Sequence, residues 1–302
     1  MIRTLDLFTK ISGNRIPLWH NFLWTMEYTF SGELKTDLVG FKKLMHLYHI
    51  ISRYKGSTLK LNFGNVNFFD ANMSAILLAM LQKLEMDNKN KIVIDYDQID
   101  ANCDILRRNG FISHMQKNGE QVHDQRKSTV PLKTFKATQA DDFVTYIEKD
   151  FLNHRGLDGH LSERVIDKIK ESYLEIFSNV ELHSETSRPL YTCGQYYPTK
   201  REFKFTVVDV GVGFLTNISK KNKAISTYEA AIDWAIQGNS TKKGKTKGGT
   251  GLINILKYCR ASKGEFHIIS GDCYWRFTGT EIEKNTMIKY FCGTTVHLIF
   301  RY

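Results

Sequence analysis

The chain has 302 residues, 42% hydrophobic and 12% aromatic, with 42 Lys+Arg against 32 Asp+Glu for a formal charge of +10. That apolar fraction excludes a disordered tail, a collagen-like polymer and a disulfide-stapled miniprotein, and the length favours two domains. The longest apolar stretch, residues 75–81, falls far short of the roughly 20 residues that cross a bilayer, and residues 1–24 are too broken by Asn, Arg, His and Pro for a secretory signal, so a cytoplasmic chain without membrane contact is expected.

In chain order, an apolar helical pattern at residues 41–47 precedes the alternating Leu59-Lys60-Leu61-Asn62-Phe63, which predicts a strand, with residues 65–69 as a loop or bulge. Residues 71–84 predict a helix with Ile76, Leu77, Met80, Leu81 and Leu84 on its apolar face and Asp70 or Asn72 as its cap. A strand at 91–95 and a helix at 99–108 complete an α/β alternation. The polar run 117–138 predicts a linker between a domain at 1–116 and another at 139–302. Beyond it come helices at 141–152 and 162–182, strands at 190–196 and 202–209, a helix at 250–261, and strands at 265–269 and 294–300. That order predicts an α/β domain whose helices pack on one face of a mixed sheet. Residues 215–247 read as loosely packed. Five cysteines without a CxxC pair predict reduced thiols, neither disulfides nor a zinc site.

Three pieces of the second half carry chemistry. Glu175 and Asn179 lie four apart in a helix, so they share a face on which a carboxylate and an amide oxygen could serve a proton and a hard cation, while Phe177 and Val180 face the core. Asp209 ends a β-rich run, and Gly211 and Gly213 after it let a ligand approach the backbone. Gly248-Gly249-Thr250-Gly251-Leu252 opens an amphipathic helix with Leu252, Ile255, Leu256 and Cys259 inward, and the free N–H groups of a helix start favour phosphate.

In this order and spacing, the pieces resemble the helix-borne N-box, the DxGxG box and the second glycine box of the GHKL superfamily (the Bergerat fold of gyrase, histidine kinase and MutL ATP-binding domains), over residues 140–302. The resemblance implies ATP and Mg²⁺. Asn179 would hold the metal, Asp209 would accept from the adenine amino group, and Gly211 and Gly213 would flank a mobile lid. Lys247, Gly248, Gly249, Thr250, Gly251 and Leu252 would meet the phosphates, with Thr294 near the adenine. Glu175 would be the general base on water or a hydroxyl. The run Glu175-x-x-x-Asn179-x-x-x-His183 looks closest to the anti-sigma-factor serine kinases, and no phosphoacceptor-histidine helix is evident.

Residues 56–115 resemble STAS domains of anti-sigma-factor antagonists, carried by Phe63-Gly-Asn-Val-Asn-Phe-Phe69-Asp70-Ala71-Asn72-Met73-Ser74 and the aliphatic helix after it. That family has Asp-Ser-Ser-Gly where this chain has Asp70, Ala71 and Asn72, so the acceptor hydroxyl is missing; Ser74 reads as a small packing residue. The half therefore reads as an α/β interaction module. Two decoys are set aside. Residues 238–246 nearly spell a P-loop, but Asn239 stands where the first Gly is needed. The pairs His46/His49 and His154/His160 lack companion ligands.

The expected function is that of a Mg²⁺-dependent GHKL ATPase whose nucleotide state gates protein–protein interaction. The alternatives are a serine/threonine protein kinase or a non-hydrolysing scaffold of a bacterial response or defence system. A protein partner, STAS-like or co-encoded, is implied, and a homodimer is compatible because relatives in that superfamily often dimerise. Nucleic acid stays an open second partner, with no Arg-rich recognition helix to favour it. Lys220, Lys221, Lys223, Lys242, Lys243, Lys245 and Lys247 concentrate positive charge in the expected lid, where it can meet phosphates.

Overall fold

The computed structural model describes residues 3–4, 25–116, 122–183, 186–239 and 250–301. A two-residue strand β1 (Arg3–Thr4) lies antiparallel to β2 (Thr25–Leu34), and β2, β3 (Thr58–Phe69) and β4 (Lys91–Ile94) run parallel in the order β1-β2-β3-β4. Helices α1 (Leu38–Ile51) and α2 (Met73–Asn88) are the crossovers, and the short α3 (Tyr96–Asn102), α4 (Ile105–Arg108) and α5 (Phe111–Met115) follow. Alternation along β3 sends Leu59, Leu61 and Phe63 inward and Lys60 and Asn62 outward. Of the two expected alternatives, loop or bulge, residues 65–69 take the second: they continue β3 with register shifts against β2. The expected helix at 99–108 breaks at buried Cys103 (φ −150°, ψ 55°), where Asn102, Cys103 and Asp104 are all poor helix formers.

Part of the expected linker is a strand. β5 (Thr129–Phe135) pairs antiparallel with β6 (Leu190–Tyr197), because Val130, Leu132 and Phe135 are apolar enough to be buried and Pro131 is tolerated on an edge. With β7 (Glu202–Asp209), β8 (Glu265–Phe277) and β9 (Ile282–Arg301) they form a sheet in the order β5-β6-β7-β9-β8. It is antiparallel throughout, where a mixed sheet was expected. The strands expected at 265–269 and 294–300 are the ends of the longer β8 and β9, which continue into a hairpin.

One face of this sheet, with Phe203, Phe205, Val207, Val296, Leu298 and Phe300, packs under α6 (Ala140–Tyr146), its π-helical continuation (Ile147–Leu152), α7 (Glu163–His183), α8 (Gly213–Lys221), α9 (Tyr228–Ile236) and α10 (Gly251–Ser262). Phe151 stacks on Phe205 at 4.1 Å.

The other face is covered as well, which corrects the expectation of helices on one side. Every residue of α2 from Met73 to Leu81 is buried, not only the stripe at Ile76, Leu77, Met80 and Leu81. A helix apolar all round needs cover on two sides. α2 packs against β4 on one side and β6 and β7 on the other, while α1 lies between β2 and β9. The two halves share one apolar core, in which Phe41 and Leu77 join Tyr191, Val208, Tyr274 and Phe291. The layers therefore run sheet, helices, sheet, helices.

A polar seam crosses that core. Buried Asp70 accepts from Thr36 N (2.7 Å), Thr36 Oγ1 (2.9 Å), buried Lys204 Nζ (3.0 Å) and Tyr197 OH. Asn72 Nδ2 donates to Thr36 Oγ1 (2.8 Å) and Thr206 Oγ1 (2.9 Å) and faces His297 Nδ1 at 3.3 Å. Ala71 N donates to Gln195 Oε1 (2.5 Å). Neither Asp70 nor Asn72 caps α2 through its side chain, since both are engaged here. Farther along, burial opposes the charge of Glu265, but His267 and Arg276 outweigh it and hold its carboxyl well below the usual range.

Removing Asp70 leaves the Lys204 ammonium buried without its partner, so Asp70→Ala is expected to lose about 3–5 kcal/mol in urea denaturation, and Asp70→Leu with Lys204→Met to recover much of it. A second test concerns His154, which packs against Tyr196 and Phe203 and which burial pushes down to about 4. Its folded value lies below the unfolded 6.5, so its contribution is complete above 6.5 and is lost as pH falls from there toward 4, where the unfolded chain binds the extra proton. His154→Phe should fall less steeply in stability than the wild type across that window.

Candidate functional site

A pocket opens between the second sheet and α7, α8 and α9. Its floor is two cross-strand pairs, Val207 with Val296 and Asp209 with Thr294. Glu175 and Asn179 project from α7 on one side, because residues four apart share a helical face, and Phe177 turns into the core as expected. Val180, expected to face the core alone, also lines the pocket. Phe214 and Asn217 of α8 and Trp234 of α9 form the opposite wall, and Gly213 and Leu252 complete the rim.

Asp209 is buried where β7 ends, and its Oδ1 accepts from Gly211 N at 2.8 Å. Burial raises its carboxyl pKa to about 6, against the lowering influence of the hydrogen bonds from Gly211 and Thr294. Gly211 thus acts behind Asp209, outside the pocket wall. Gly293 has φ +128°, and a Cβ there would lie 2.0 Å from Asp209 O, so only glycine lets β9 reach Thr294 along this path.

Glu175 is also a capping group. Its carboxylate accepts from Thr250 N (3.1 Å), Thr250 Oγ1 (2.8 Å) and Gly251 N (2.6 Å). It thereby occupies N–H groups at the α10 start that were expected to be free for a phosphate. A Cβ on Gly251 would stand 3.1 Å from Ser172 O and from Glu175 Cβ, so the glycine permits α10 to start against α7. Lys247, Gly248 and Gly249 lie outside the described residues, as do Lys242, Lys243, Lys245, most of the P-loop-like run and the His183 side chain.

Residues 215–247 were expected to be loose, yet α8 and α9 lie within or at the edge of that segment. Thr227 Oγ1 caps α9 by accepting from Ala230 N (3.2 Å), and Ala231, Ile232, Ala235 and Ile236 are buried. Asp233 accepts from Trp275 Nε1 (3.2 Å) and Lys284 Nζ (2.6 Å), which fastens α9 to the β8–β9 hairpin. Sequence reasoning missed Trp234, Phe214 and Asn217; the apolar spacing 231, 232, 235, 236 was the signal for α9.

In the first half, Asn72 and Ser74 are buried, and Ser74 Oγ donates to Ala71 O (2.5 Å), so no exposed hydroxyl stands at that turn. Among the described residues no group of three or more His, Cys, Asp or Glu is placed to hold a metal, and no helix is long and apolar enough to cross a membrane. Acceptor oxygens at both ends and an apolar middle of Val180, Phe214, Trp234 and Val296 suit a flat ligand with a donor at the Asp209 end.

Comparison of the chain with protein-family models and with curated proteins finds no match.

Asp209 gives a direct check. In ¹³C NMR its carboxyl should titrate near pH 6. Thr294→Val deletes a donor to the carboxylate and should move that midpoint upward.

Proposed function

We propose that the chain is a Mg²⁺-dependent ATP-binding protein of the GHKL type, a Bergerat-fold domain joined to a STAS-like half, whose nucleotide state governs binding of a separate protein partner. One observation carries this reading: Glu175 and Asn179, Asp209 and Gly213, Leu252, and Thr294, from four distant stretches of sequence, converge on one pocket. In this reading Asp209 accepts from the adenine amino group beside Thr294. Phe214 and Trp234 cover the base, and the phosphates lie toward Asn179 and the start of α10.

The donor set suits magnesium, which takes oxygen ligands and is commonly held by one or two protein oxygens together with phosphates and water. Asn179 would hold it beside Glu175, and the ion when bound neutralises phosphate charge. Glu175 has two tasks. In the free protein its carboxylate satisfies Thr250 and Gly251. Once phosphate oxygens take over those N–H groups, the carboxylate is released to accept a proton from water. At the STAS-like turn a kinase reaction would find no acceptor, since Ala71 and Asn72 carry no hydroxyl and Ser74 is buried.

Labelled ATP tests the proposal. Saturable, Mg²⁺-dependent binding and released phosphate are expected, whereas label on an added partner would favour the kinase, and binding without either the scaffold. Glu175→Ala should keep binding and lose turnover by about 10²–10⁴-fold; turnover that survives sinks its role as base. Asp209→Asn should weaken binding, and wild-type affinity should fall as pH drops through about 6 and the carboxylate takes up a proton. Unchanged affinity in Asp209→Asn would refute the placement of the nucleotide.

A further inference from the structure

We propose that Asn72 is a positioning residue for the pocket, setting the spacing of β7 and β9 from behind, so that docking of the first half and occupancy of the pocket are coupled. The coupling to a nucleotide rests on the reading above; the positioning does not.

On β7 and β9, Thr206 pairs with His297, Val207 with Val296, Val208 with Thr295, and Asp209 with Thr294. Successive side chains of a strand point to opposite faces. Val207 and Val296 therefore line the pocket, while their neighbours Thr206 and His297 face the first half. Asn72 reaches both members of that rear pair with one amide nitrogen, to Thr206 Oγ1 at 2.9 Å and His297 Nδ1 at 3.3 Å, and is tied to Thr36 Oγ1 at 2.8 Å. Thr206 and His297 also meet each other at 2.7 Å. A side chain of the first half thus clamps two strands on the face opposite the pocket, three residue pairs or about 10 Å along the strands from Asp209–Thr294. The neighbouring residues of the turn hold adjacent points: Ala71 N on Gln195 of β6 and Asp70 on Lys204 of β7.

Asn72 Oδ1 and Thr295 Oγ1 are buried on this seam without a hydrogen-bond partner. Unmet polar atoms in a packed interior favour any rearrangement that pairs them. Coupling is reciprocal, so a ligand that draws Asp209 and Thr294 together favours the clamped seam, and a loosened seam weakens the ligand.

The experiment uses the full chain in two variants, Asn72→Ala and the isosteric Thr206→Val, with Gln82→Ala as control. The control removes the Tyr191 OH to Gln82 Oε1 contact (2.9 Å) elsewhere between the halves. The readouts are the ¹³C titration midpoint of Asp209 without ligand and the dissociation constant for ATP with Mg²⁺. Both variants are expected to move the Asp209 midpoint upward, through weaker bonds from Thr294 and Gly211, and to weaken ATP by about tenfold. Gln82→Ala should change neither. If both variants keep the wild-type midpoint, the proposal is overturned whether or not ATP binds. If Gln82→Ala shifts the midpoint as far, the effect is general loosening and the proposal is also overturned. If the midpoint moves in the two variants alone while the wild type binds no ATP, Asn72 keeps its positioning role and the nucleotide reading falls.

Discussion

The architecture depends on the burial of α2. A helix whose residues from Met73 to Leu81 are all withdrawn from water cannot sit on the surface of a small α/β unit, because one sheet covers one flank only. The second sheet supplies the other flank through Tyr191 and Val208, and α1 extends the contact to Tyr274. Hydrophobic burial is non-directional, so it draws the halves together without fixing their register. The seam does that. Asp70, Lys204, Tyr197, Asn72 and Thr206 find partners in one relative placement, and a slide of either half would leave buried charge and amide groups unpaired.

The same sheet serves two surfaces, and strand parity keeps them apart. Odd positions of β7 build the helix-covered core and the pocket, and the even positions Lys204, Thr206 and Val208 meet the first half. β9 divides its residues in the same way, with Thr294 and Val296 forward and His297 behind. The pocket floor thus has no solvent on its reverse side. Its geometry is set by packing from both directions, which suits a site that must hold a buried carboxylate at a fixed place.

Much of the second half could be read from local pattern. The strands 202–209 and the helices opening at Glu163 and Gly251 appear within a residue or two of where periodicity puts them, and Leu252, Ile255, Leu256 and Cys259 do face inward. Glu175, Asn179 and Asp209 were nameable because their chemistry stands out in apolar stretches, Thr294 only through the resemblance, and the structure gathers all four. What stayed hidden was non-local. β5 reads as polar linker because Thr129, Pro131, Lys133 and Thr134 interrupt its apolar residues, and only pairing with β6, more than 50 residues away, makes it a strand. Ala75, Leu78 and Ala79 were visible as apolar, yet a single helical stripe leaves them unexplained; their burial follows from a second sheet that no local window contains. The engagement of Glu175 with Gly251 likewise joins groups 76 apart in sequence.

The two-sided burial of α2 has a consequence for how the protein is made. Roughly 100 residues separate Asn88 from Leu190, the start of β6, so α2 leaves the ribosome about 5–20 s before its second cover exists. For that interval a run of Ala, Ile, Leu and Met is shielded on one flank only. The order of the two halves along the chain thus sets a waiting period in which the nascent protein carries an apolar helix flank uncovered, a surface open to aggregation and to chaperones.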